Sequence, residues 1–255
     1  MSVRLFLGTS GWNYKHWSGG VFYPAGMKQS HWLSHYCQYF GTVEVNNTFY
    51  HLPEKRVFED WRKTTPDNFT FAVKANRFIT HMKKLKEPER HVALFLKNAC
   101  GLREKLGVVL FQLPPFWKFN KDRIEHLFEF VSRQKIVPGL RSALEVRHES
   151  WHCDECFEVL RKHNVSLVLA DWPGLAVEGP VTANFVFVRR HGPENLYASN
   201  YPDSSLKRDA KRIGTWLEEG KDVYIYFNND ADGYAVKNAM SLKGFLGKKA
   251  HKGEA

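Results

Sequence analysis

Eight short apolar segments recur along the chain, and nearly every neighbouring pair is separated by a stretch with helical spacing. The segments are RLFLG (4–8), TVEVN (42–46), FTFAVKA (69–75), VVLFQL (108–113), SALEV (142–146), SLVLAD (166–171), FVFVRR (185–190) and VYIYFN (223–228). Their length and their content of β-branched and aromatic residues predict buried strands. Between them lie stretches such as 121–133, where Ile124, Leu127, Phe128 and Val131 fall three or four apart. That is the spacing of one helix face. Further helices are expected over 28–40, 53–65, 88–105, 154–164 and 205–219, with a last one from 233. Strands that alternate with helices make a parallel sheet, because parallel strands need crossovers.

Eight such units in 255 residues predict an α/β protein closed as a single (β/α)8 barrel of the TIM type. An open doubly wound sheet is the rival, and it would carry a glycine-rich phosphate turn. The chain has no G-x-G-x-x-G and no Walker pattern. One unit is irregular: WPGLAVEGPVTAN (172–184), between strands six and seven, is too short and too rich in Gly and Pro for a good helix. One barrel domain is expected over 1–247, with a basic tail at 248–255.

Lys and Arg outnumber Asp and Glu by 37 to 27, for a net charge of +10, of which the tail supplies +2. A basic domain favours anionic partners, nucleic acid or phosphorylated metabolites among them. The N-terminus MSVRLFLGTSGW has an apolar run too short for a signal peptide, and no stretch is long enough to span a membrane. A cytoplasmic protein with reduced thiols is the expectation.

In a barrel of this kind, functional groups sit at the carboxyl ends of the strands. Polar residues collect there. Thr9, Ser10 and Trp12 follow strand one; Glu44, Asn46 and Tyr50 strand two; Lys74 strand three; Gln112 strand four. Glu145, Arg147 and His148 end strand five, followed by Trp151, which looks exposed; Asp171 ends strand six. Arg189, Arg190 and His191 end strand seven, and Asn228 and Asn229 strand eight. Residues two apart share a strand face, so Glu44 with Asn46, Glu145 with Arg147, and Arg189 with His191 form same-side pairs. If that side is the lumen, their charges need partners.

Carboxylates and imidazoles such as Glu44, Glu145, Asp171, His148 and His191 suit Zn²⁺ or Mn²⁺. Lys74, Arg147 and Arg189 would repel such an ion, so a divalent metal is not the favoured reading, and no cofactor follows from the sequence. Cys153 and Cys156 form a lone C-x-x-C that opens a helix, where a Cys packs as a small apolar residue. The loops after strands seven and eight occupy the usual phosphate position of the barrel. Lys74 would be a Schiff-base lysine if Arg147 depressed its pKa; an ion pair is the expected alternative. The many aromatics after the strands, Trp12, Tyr14, Tyr50 and Trp172 among them, offer stacking surfaces or simply pack the loops.

The segments GTSGWNYKHWSGGVFYP, VEVNNTFYHLP, FAVKANRFITH, LFQLPPFW, EVRHESW, VRRHGP and YFNND resemble the DUF72 (YecE-like) family, in order, from residue 5 to about 246. The resemblance implies a TIM-type barrel. It implies no reaction, since the family is named for its unknown function. Its motif residues match here as Glu44, Asn46, Lys74, Gln112, Glu145, Arg147, His148, His191, Asn228 and Asn229. Cys153 and Cys156 are not part of that pattern.

These observations favour an enzyme on a phosphate-containing substrate, with phosphodiester hydrolysis in nucleic acid as the leading reaction. Glu44, Lys74, Glu145, Arg147 and Asp171 are the expected catalytic groups. Trp12, Asn46, Tyr50, Gln112, His148, Arg189, His191, Asn228 and Asn229 are the expected substrate contacts. Two alternatives stand beside it: a non-catalytic nucleic-acid-binding protein, and an enzyme on a small phosphorylated sugar or metabolite.

Overall fold

The computed structural model describes residues 3–171 and 179–247. Its eight strands are β1 (Leu5–Thr9), β2 (Thr42–Val45), β3 (Thr70–Lys74), β4 (Leu106–Gln112), β5 (Arg141–Glu145), β6 (Ser166–Ala170), β7 (Phe185–Arg190) and β8 (Asp222–Phe227). They pair in parallel in the order β1-β8-β7-β6-β5-β4-β3-β2, a nearly closed barrel. Around it run α1 (Trp32–Tyr36), α2 (Asn47–Tyr50), α3 (Lys55–Thr64), α4 (Pro88–Ala99), α5 (Lys121–Arg133), α6 (Asp154–Lys162), α7 (Asp203–Glu218) and α8 (Tyr234–Leu246). The TIM-type barrel expected from the alternation is therefore the fold.

Two helices differ from expectation. The helix expected over 28–40 contracts to α1 with a 3-10 turn before it, although Trp32, Leu33, Tyr36 and Phe40 all still face the core. The helix expected over 88–105 ends at Ala99 and continues as a 3-10 turn, broken where Arg103 takes a φ of 51°. Residues 179–184 carry no helix, in line with their Gly and Pro content; the rest of that irregular unit, Trp172 included, and the tail 248–255 lie outside the described residues. No helix among the described residues is long and apolar enough to cross a membrane.

Alternate strand positions point inward. Phe6, Phe185, Phe187, Tyr224 and Tyr226 form the heart of the barrel interior, with Phe6 stacked on Tyr224 at 4.2 Å between ring centroids. At the amino end of the strands, Arg141 closes the interior by donating to Asp222 at 2.6 Å and to the Tyr224 hydroxyl at 3.0 Å. A larger apolar cluster fills the space between strands and helices. Burial of this kind is the main driving force for the fold.

The seam between β1 and β2 is special. It carries one backbone bridge, Ser10 to Glu44. The Tyr36 hydroxyl fills in below, accepting from Thr9 N and donating to Thr42 O, each at 3.0 Å. Glycine at position 8 permits this approach, since a Cβ there would meet Thr42 O at 2.4 Å. The seam thus delivers Ser10 and Glu44 to the mouth.

Candidate active site

At the carboxyl ends of the strands, the inward-facing positions turn from apolar to polar in one step. Ala72 is followed two residues on by Lys74, Leu110 by Gln112, Ala143 by Glu145, Phe187 by Arg189 and Tyr226 by Asn228. The result is a polar layer lying directly on the apolar one.

Arg189 is the hub of that layer and is fully buried. Its Nε and Nη2 donate to the two Glu44 oxygens at 2.9 and 2.7 Å, and Nη1 donates to Glu145 Oε2 at 2.5 Å. Arg147 Nε donates to Glu145 Oε1 at 2.7 Å, and its Nη2 to Gln112 Oε1 at 3.0 Å. Ser10 Oγ donates to Glu44 Oε1 at 2.8 Å. His191 sits against the hub, with Nε2 3.4 Å from Arg189 Nη1 and Nδ1 3.0 Å from Asn228 Nδ2. Two carboxylates thus face two guanidiniums, which is what buried charge requires. Burial alone would raise the Glu145 carboxyl; Arg189 and then Arg147 overcome it and hold it well below the usual carboxylate range. Burial, reinforced by Arg189, pushes His191 well below the ordinary imidazole value, so it is neutral.

Lys74 stands apart. The residue is 9% exposed, yet its Nζ makes no ion pair or hydrogen bond among the described residues. The ion pair expected for it is not formed, because Arg189 and Arg147 already occupy the carboxylates. Instead the ammonium position lies over the Phe49 ring, 4.2 Å from the centroid. Burial and the neighbouring Arg189 lower its pKa to about 7, with Arg147 a lesser cause than expected.

Two cavities meet at Lys74. The first, about 510 Å³, is walled by Trp12, Tyr14, Asn46, Trp61 and Asn228. Trp12 and Trp61 meet edge to face at 5.3 Å, and Asn46 Oδ1 has no hydrogen-bond partner among the described residues. The second, about 350 Å³, is lined by Lys74, Arg77, His81, Gln112 and Arg147. Tyr50 and Tyr197 border both. A π-helical turn over Phe78–Met82 brings His81 to the second cavity. Burial, then the positive neighbours Lys74 and Arg147, lower the His81 pKa to about 4. Volumes of this order suit small molecules.

Eleven of the residues expected at the site meet here: Glu44, Lys74, Glu145, Arg147, Trp12, Asn46, Tyr50, Gln112, Arg189, His191 and Asn228. Three do not. Asp171 points outward, accepting from His191 N at 2.6 Å and pairing with the Tyr201 hydroxyl. It lines a separate surface cleft with Arg190, whose guanidinium pairs with Asp209. His148 accepts from Ser150 N at 3.2 Å and caps a short turn. Asn229 donates to Ser199 O and Asn238 Oδ1, each at 2.8 Å, and ties α8 to the loop after β7. Each of these sits an odd number of residues from an inward position, so strand parity turns it away.

Trp151 is not exposed. It is fully buried, donates from Nε1 to Trp117 O at 2.6 Å and packs on Phe119. Cys153 and Cys156 open α6 as free thiols; burial, then Cys153, pushes Cys156 up to about 12. Among the described residues, no group of three or more His, Cys, Asp and Glu is placed to hold a metal. Trp61, Phe49, Arg77, His81 and Tyr197 complete the site without having been expected there. Trp61 and Phe49 sit on helices, where their apolar character reads as core; Arg77 and His81 lie in the motif that carries Lys74.

Fold and mouth together define a TIM-type barrel with a polar, small-molecule-sized site at the carboxyl ends of its strands. The chain belongs to the DUF72 family: the family described as "Protein of unknown function DUF72" matches residues 6–255. The UPF0759 protein YunF of Bacillus subtilis is 26% identical, over 93% of each chain. The solved DUF72 family protein TM1631 of Thermotoga maritima superposes with a TM-score of 0.83 at 31% identity, over 95% of this chain and 99% of that one. D-psicose 3-epimerase of Clostridium cellulolyticum H10, solved with D-tagatose, shares the barrel alone, with a TM-score of 0.57 at 11% identity over 97% of this chain and 99% of that one.

Proposed function

We propose that the mouth is the site of an enzyme acting on a small phosphorylated sugar or related metabolite. The observation that carries this reading is the placement of Lys74, with no ion pair or hydrogen bond among the described residues, between a cationic cavity and an aromatic one. The phosphate enters beside Arg77 and Arg147, where guanidinium forks suit its oxygens. Arg77 makes no ion pair or side-chain hydrogen bond among the described residues, so its donors are available. The organic body lies against Trp12 and Trp61, whose faces suit a sugar ring. Asn46 Oδ1 accepts from a hydroxyl group.

Phosphodiester hydrolysis in nucleic acid has less support. It needs Glu44 or Glu145 as base or metal ligand, and both are bridged to Arg189. A carboxylate held as low as Glu145 is a poor general base at neutral pH. The net charge of +10 still favours an anionic substrate of some kind.

Calorimetric titration of the full chain with ribose 5-phosphate, ribose and a short single-stranded oligonucleotide tests the reading. Ribose 5-phosphate is expected to bind more tightly than ribose, and the difference to vanish in Arg77→Ala. Steeply salt-dependent binding of the oligonucleotide, with none of ribose 5-phosphate, overturns it.

A further inference from the structure

We propose that Lys74 is a covalent catalytic residue, whose amine forms an imine with an aldehyde or ketone carbonyl of the substrate. The inference rests on the small-metabolite reading above for the substrate's anionic end.

The chain contains its own contrast. Lys105 is also buried, and its Nζ donates to Arg62 O and Thr65 O, each at 2.8 Å, and to Thr65 Oγ1 at 3.3 Å. That is a structural lysine, with all three donors used. Lys74 is also buried and, among the described residues, uses none of its donors on protein oxygen. It also lines both cavities, the one titratable nitrogen that does so among the described residues, and the carboxylates of Glu44 and Glu145 are spent on arginines. A buried ammonium among guanidiniums is an expensive arrangement to keep for packing alone. It is the arrangement that frees an amine for attack. An amine titrating near 7 is about half unprotonated at neutral pH, against less than about one part in a thousand for an ordinary lysine.

The step balances without an oxidant or reductant. The Nζ lone pair attacks the carbonyl carbon and the C–N bond forms. The C=O π pair moves to oxygen, which takes up a proton as nitrogen gives one up. The resulting hydroxyl takes from solvent the proton that the ammonium released on becoming an amine, and leaves as water while the nitrogen lone pair closes the C=N bond. The iminium carries one positive charge, as the lysine ammonium does. A phosphate beside Arg77 and Arg147 places its carbonyl end toward Lys74, because the two cavities join there. His81, kept neutral, lines the same cavity.

Reductive trapping tests this directly. The full chain is incubated at neutral pH with D-glyceraldehyde 3-phosphate or D-glyceraldehyde, each with cyanoborohydride, and modified lysines are mapped by peptide mass spectrometry. Lys74 is expected to be modified at least about tenfold faster than any other lysine, and faster with the phosphate ester than without it. Its rate should level off above neutrality, while the other lysines keep accelerating toward pH 10. Lys74→Met should lose that adduct and keep the slow background.

Modification of Lys74 no faster than the background with either aldehyde overturns the imine. If ribose 5-phosphate nevertheless binds, the metabolite reading survives that loss. Fast modification of Lys74 at equal rates with both aldehydes leaves the imine standing and removes the phosphate subsite instead.

Discussion

Arg189 and Glu44 face each other from β7 and β2, joined by two hydrogen bonds of 2.9 and 2.7 Å. The remaining Arg189 nitrogen reaches Glu145 on β5. One guanidinium therefore ties three strands that do not neighbour one another in the barrel. Removing it leaves two buried carboxylates short of a partner. Arg189→Met is expected to lose on the order of 3–5 kcal/mol in urea unfolding. Arg189→Met combined with Glu44→Gln should recover part of that loss, because one uncompensated charge is gone.

Glu145 makes the same network sensitive to acid. Its carboxyl titrates below the usual range in the fold and at about 4.3 in the unfolded chain. The unfolded state therefore takes up the proton first as pH falls. The stability Glu145 supplies is complete above the unfolded value and drains away below it. Glu145→Gln should be much less stable than the natural chain at pH 7, and the gap should narrow between about pH 5 and pH 2. Thermal unfolding across that range reads it. A gap of constant width would mean that Glu145 is not held ionised.

Lys74 has the opposite sign. Its pKa falls from 10.5 in the open chain to about 7 in the fold, so folding expels a proton between those values. Its cost is complete below pH 7, declines as pH rises, and is gone above the unfolded value. Lys74→Met should therefore be more stable than the natural chain by a few kcal/mol, roughly, at pH 6. The two should converge toward pH 10. A gain that does not depend on pH would point to packing rather than to charge.

Much of this was legible in the sequence, and what was not has physical causes. The strands declare themselves because a parallel barrel strand is apolar on both faces, as in FVFVRR. The network was legible as pairs: Glu145 with Arg147, and Arg189 with His191, do share a side. Asp171, His148 and Asn229 read as site residues in sequence because polarity at a strand end does not say which way a side chain turns. Counting in twos from Ala170, Ala143 and Tyr226 would have separated them. Trp151 looks exposed in sequence because its polar neighbourhood hides Trp117 and Phe119, more than thirty positions away, on which it packs. That Arg189, rather than Lys74, takes Glu44 is a matter of cross-barrel geometry, which no local spacing encodes.

The site also depends on a glycine that touches no part of it. Gly8 lets β1 lie against β2, and a Cβ there would meet Thr42 O at 2.4 Å, a backbone atom that cannot swing aside. The seam has one backbone bridge, Ser10 to Glu44, so it has few contacts to absorb the strain. Gly8→Ala is expected to cost about 1–3 kcal/mol. It should also weaken ribose 5-phosphate binding, since Ser10 and Glu44 would move with the seam. Gly41→Ala is the control: it lies just before β2, where a Cβ would meet nothing within 4 Å among the described residues. It should be nearly neutral in both measurements. Equal effects of the two substitutions in urea unfolding and calorimetry would show that the closeness of β1 to β2 does not set the cost.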